Sequence, residues 1–162
     1  MEKYQEVKEK AEKSIKIADH MLTQTYPLVN DPRLLLTVLE NIFLALTNSM
    51  GSLLYFERLY KKIPPFQENF ESKFNMFKMR IVEKYNIDKG QITFVGDIKN
   101  MIVSHKKSPM EFSRKGIFVI CSEDYKMKTL TPDEIKNYVS RAKGFMSEID
   151  SIIRQNEMKL RE

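Results

Sequence analysis

The chain has 162 residues, 42% hydrophobic and 30% charged, with a net charge of +5. That length fits one domain, the apolar share excludes a disordered chain, and five glycines and six prolines are too few for a turn-rich β fold. The single cysteine, Cys121, excludes an internal disulfide framework and points to a reducing, cytoplasmic setting. Charge alternates with apolar positions over the first twenty residues, so no secretory signal is expected.

The first predicted helix covers 3–24, where Tyr4, Val7, Ala11, Ile15, Ala18 and Leu22 recur at spacings of three and four. Tyr26-Pro27 is read as its end. Asp31-Pro32 then supplies an N-cap acceptor and a preset φ, opening a second helix over 32–63 that is apolar on most sides. Glu40, Asn41 and Asn48 interrupt its apolar run, so a buried bundle helix is expected and not a membrane span. Pro64-Pro65 breaks the chain. Phe66, Phe70, Phe74, Phe77, Ile81 and Tyr85 define a third helix over 67–85, read as core, and Phe94, Ile98, Met101 and His105 a fourth over 91–106.

After Pro109 the period changes. Residues 116–130 read as a β-hairpin, with Ser122-Glu123-Asp124 as its turn. Thr131-Pro132-Asp133-Glu134 combines an N-cap, a helix-starting proline and a capping-box glutamate, opening a last helix over 132–155, with 156–162 fraying. The expected fold is mainly α: a single bundle of four or five helices, a long antiparallel helical hairpin first, and a small β-hairpin before the last helix. The ten methionines, among them Met50, Met76, Met79 and Met101, read as gap-fillers of a helical core.

No metal-ligand, P-loop, dinucleotide or nucleophile-elbow motif is present, and no metal or cofactor is expected. Cys121 sits in an apolar strand, where thiols are inert. His20 lies beside Asp19 at a helix end, which accounts for it. Glu40, with Thr37, Asn41 and Asn48, is expected to form a polar seam inside the bundle or to border a small-molecule pocket. The charge is uneven. Residues 99–115 carry Lys99, Lys106, Lys107, Arg114 and Lys115 against Glu111 alone, a basic segment suited to phosphate. Within it, His105 can move a proton near neutral pH and a cation can stabilise a scissile phosphate. In a regular helix, however, Lys99 and His105 point about 120° apart. A kink or a second subunit would be needed to bring them together.

The stretch Lys99-Asn100-Met101-Ile102-Val103-Ser104-His105 resembles the signature of HEPN domains, helical bundles whose motif is Arg, a polar residue, a short spacer and His. The long first two helices and the hairpin before the last helix also resemble some HEPN-like variants, so the likeness covers most of the chain in outline. It implies a metal-independent endoribonuclease, a homodimer with the motif at its interface, and a place in a toxin–antitoxin or defence system. Carried over, His105 is the catalytic histidine, Asn100 the polar partner and Lys99 the cation, with Lys106, Lys107, Arg114 and Lys115 binding RNA. Lys99 departs from the pattern, because lysine lacks the planar fork with which arginine grips phosphate. That departure implies a catalytically weakened or non-catalytic relative, RNA-binding or purely structural. The alternative from another class is a helical scaffold that binds a protein partner through an apolar helix face or the hairpin edge.

Overall fold

The structure is a computed structural model and describes residues 1–122, 124 and 126–161. Helix α1 (Lys3–His20) starts where the Glu2 N–H donates to Gln5 Oε1 at 2.9 Å. It does not end at Pro27. A π-helical turn (Met21–Thr25) carries it into α2 (Tyr26–Val29), with Pro27 in the first turn. The wider turn, in which the Tyr26 N–H reaches the Met21 carbonyl, replaces the backbone bonds that a proline ring would break in a regular helix. The stop falls at Asn30, whose left-handed φ of 53° closes the segment.

Helix α3 (Arg33–Leu59) begins as read, with Asp31 Oδ1 accepting from the Arg33 N–H at 3.0 Å. It ends earlier than 63, at a left-handed Lys61. By length and composition α3 is apolar enough to cross a bilayer, and half of its most apolar window is buried here. Helix α4 (Phe70–Arg80) is capped by Asn69, which accepts from the Ser72 N–H at 2.8 Å. It is shorter than 67–85, the chain leaving it in turns up to a left-handed Asn86. Helix α5 (Lys89–Lys107) matches its reading closely.

The β region exceeds the expected hairpin. Three strands, β1 (Met110–Arg114), β2 (Ile117–Cys121) and β3 (Met127–Leu130), form an antiparallel meander in the order β1-β2-β3. The strand missed in the sequence, β1, is joined to β2 by a two-residue turn whose Lys115 and Gly116 have φ of 48° and 79°. That is the left-handed pair whose twist matches flanking strands. The expected turn at Glu123 and strand start at Tyr125 lie outside the described residues. Helix α6 (Pro132–Leu160) is capped by Thr131, which accepts from the Glu134 N–H at 3.2 Å. It continues through the segment expected to fray, Glu162 lying outside the described residues.

Helices α1 and α3 pair antiparallel, bringing the Tyr4 ring onto Phe56 at 5.1 Å. Helix α6 runs antiparallel to α1: Tyr4 donates to Glu157 at 3.0 Å near one end, and Lys143 pairs with Asp19 at 3.1 Å near the other. Phe77 of α4 meets Phe145 of α6, and Arg141 of α6 lies over Phe94 of α5 at 4.2 Å. Phe118, Ile120 and Leu130 join the sheet to the same core. Met50 fills the interior as read, but Met79 is exposed.

The buried carboxylate of α3 is Glu57, not Glu40. Glu57 is wholly buried, accepts from the Tyr85 hydroxyl and pairs with Lys84 at 2.8 Å. Removing one member of a buried polar set strands the rest, although Lys84 is partly exposed and can regain water. Glu57→Ala is therefore expected to lower the unfolding free energy by about 2–3 kcal/mol, read from the urea midpoint. A loss below about 0.5 kcal/mol would mean that the pair is no stronger than a surface one.

Candidate functional site

The end of α5 and the start of β1 meet one edge of α3, and His105 stands at that junction. Its Nδ1 lies 2.5 Å from Glu111 Oε1 on β1, and its Nε2 lies 3.8 Å from Glu40 Oε1 on α3. An ionised carboxylate can only accept, so Nδ1 carries the proton of the shorter contact. The side chain is 26% exposed, neither a core histidine nor an open one. Glu40 is about half exposed, and the polar seam expected around it does not form: the Asn41 amide donates to the carbonyl of Thr37 in its own helix. His20 has no tie to Asp19, which pairs with Lys143.

The motif residues separate. Helix α5 is uninterrupted from Lys89 to Lys107, so Lys99 and His105 stand about 9 Å apart along its axis and about 120° apart around it. The Lys99 ammonium lies over the rings of Phe70 and Phe43, at 4.7 and 5.6 Å, which occupies it in a cation–π contact. Asn100 is exposed on another side of the helix. Within one copy, the charged side chains that His105 contacts among the described residues are thus two carboxylates. A phosphate approaching it would meet like charge at Glu40 and Glu111.

The four remaining basic residues fare differently. Lys106 and Lys107 end α5, and Arg114 and Lys115 sit at the β1–β2 turn; all four are exposed. None forms a salt bridge among the described residues, while Glu111, the one acid of this segment, is turned to His105. A cleft of about 290 Å³ between α1, α3 and α6 also carries two lysines. There, however, Lys8 pairs with Asp150 and Lys143 with Asp19. Cys121 is half-buried on the outer face of the sheet, in a row with Met110 and Met127.

Sequence reading missed β1, and with it the position of Glu111 opposite the histidine. The signal was present in Met110-Glu111-Phe112-Ser113-Arg114, which alternates, and in the Lys115-Gly116 turn that follows. Compared with protein-family models, curated proteins and solved structures, the chain matches none of them.

The His105–Glu111 contact ties the sheet to the helices. His105→Ala is expected to lower stability by about 1 kcal/mol and to speed amide hydrogen exchange in β1 and β2 relative to α1. An unchanged exchange pattern would mean that Phe118, Ile120 and Leu130 alone hold the sheet in place.

Proposed function

We propose that this chain is an RNA-binding domain of HEPN-like type, acting in the cytoplasm as a homodimer, whose binding surface is the set Lys106, Lys107, Arg114 and Lys115. The observation that carries the reading is the state of those four cations. They are exposed and without salt bridges among the described residues, whereas the lysines of the cleft between α1, α3 and α6 are already paired. Ordering a phosphate against an unpaired lysine breaks no existing contact, and the released counterions drive association.

Catalysis is not part of the single-copy reading. Lys99 belongs to the packing of Phe43 and Phe70, and His105 is flanked by Glu40 and Glu111, so the histidine acts first as the clamp between α5 and β1. A second reading, docking of a protein partner, has its own support in the apolar outer face of the sheet, where Met110 and Met127 are 60% and 67% exposed.

Binding of a fluorescent single-stranded oligouridine, in EDTA and over a series of salt concentrations, tests the proposal. Four phosphate contacts predict a slope of about −3 for log K against log salt. Reversing Lys106 and Lys107 together to glutamate is expected to remove most of the affinity, and Lys99→Met to change it by less than about twofold. Absence of binding at low salt would remove the RNA reading and leave the docking face.

A further inference from the structure

Strand β1 is an open edge of the sheet. Its residues Met110, Phe112, Ser113 and Arg114 are exposed, and no backbone group of Glu111 or Ser113 bonds to anything beyond the sheet among the described residues. The hairpin register shows which groups face outward. A two-residue turn makes Arg114 and Ile117 a hydrogen-bonded pair. Alternation along the ladder then makes Ser113–Phe118 and Glu111–Ile120 the non-bonded pairs, so the N–H and C=O groups of Ser113 and Glu111 point away from β2.

That pattern is self-complementary. If a second β1 is laid antiparallel about Phe112, Glu111 comes opposite the partner's Ser113, and both residues present their free backbone groups. Phe112 meets the partner's Phe112 at a non-bonded position, where side chains come closest. Arg114 comes opposite the partner's Met110, so no like charges oppose each other within the strands. The other edge is different: β3 carries the exposed Lys128 and follows Lys126, and edge lysines discourage pairing.

We propose that two copies of this chain join edge to edge through β1 into a six-stranded sheet, and that the join completes the RNA-binding surface. The second half rests on the RNA reading above. In one copy the two halves of the basic set lie at opposite ends of β1, about 14 Å apart for five residues of strand. Antiparallel pairing places the partner's Arg114 and Lys115 beside Lys106 and Lys107, so the composite surface contains two such four-cation clusters. The added repulsion is screened at physiological salt and is relieved by a bound phosphate chain. RNA and dimerisation therefore promote each other.

Sedimentation velocity of the full chain, with and without oligouridine, is the first arm of the test, and the expected result is a monomer–dimer equilibrium drawn toward dimer by RNA. In the second arm, Ser113→Pro removes an outward N–H while sparing the β1–β2 ladder. It is expected to give a folded monomer by circular dichroism that binds RNA at least about tenfold more weakly. In the third, Phe112→Cys combined with Cys121→Ser is expected to oxidise to a covalent dimer, and Thr129→Cys combined with Cys121→Ser to remain monomeric. Failure of Phe112→Cys to cross-link, or a dimer that survives Ser113→Pro, overturns the edge pairing. A monomeric Ser113→Pro that binds RNA with the wild-type affinity overturns the claim that the join completes the surface, while leaving the RNA reading intact. A cross-linked dimer that ignores RNA keeps the pairing and removes the RNA half.

Discussion

Helices α1, α4, α5 and α6 are arranged to cover α3, whose buried face runs from Leu35 to Glu57. A surface of that length cannot be shielded by one neighbour. Helix α1 lies along it antiparallel, α6 returns beside both, and α4 and α5 close the flank where Phe43 and Phe70 meet. Burial of this apolar area is the main favourable contribution to folding. It also determines where polar groups can stand. Glu57 is carried into the interior and must be met there by Tyr85 and Lys84, whereas Glu40, on the outer side of the same helix, stays at the surface to face His105.

From that junction the charge pattern follows. The end of α5 delivers His105 to the rim of α3, and β1 returns Glu111 to its Nδ1. The single acid of the basic segment is thereby engaged inward, and the exposed cations of the segment form no salt bridge among the described residues. The same geometry separates Lys99 from the histidine, because a straight helix cannot bring residues six apart onto one face. What the motif-like stretch builds in one copy is a structural clamp beside an electropositive surface.

Much of this was legible in the sequence where local chemistry decides the outcome. Thr131-Pro132 and Asp31-Pro32 announced helix starts, and the spacing of apolar residues placed α1, α3, α5 and α6. Where tertiary context or turn geometry decides, the reading failed. Pro27 did not stop the first helix because a π turn accommodated it. Strand β1 lies inside the basic segment, before the expected hairpin, and its alternation is short, only Met110–Arg114. Glu57 was passed over although it continues the stripe Leu39, Leu46, Met50 and Leu53 at helical spacing, whereas Glu40 falls off that stripe. Following the phase of the helix, and not the contrast between one acid and its neighbours, would have found the buried carboxylate.

The central claim is that the cations at the end of α5 and at the β1–β2 turn are where this protein meets RNA. Backbone amide NMR during titration with a single-stranded oligouridine reads this residue by residue. The account predicts that the largest shifts fall at Lys106, Lys107, Arg114 and Lys115, with little change in the cleft between α1, α3 and α6. Shifts centred on that cleft or on Lys99, or none at all, would contradict it.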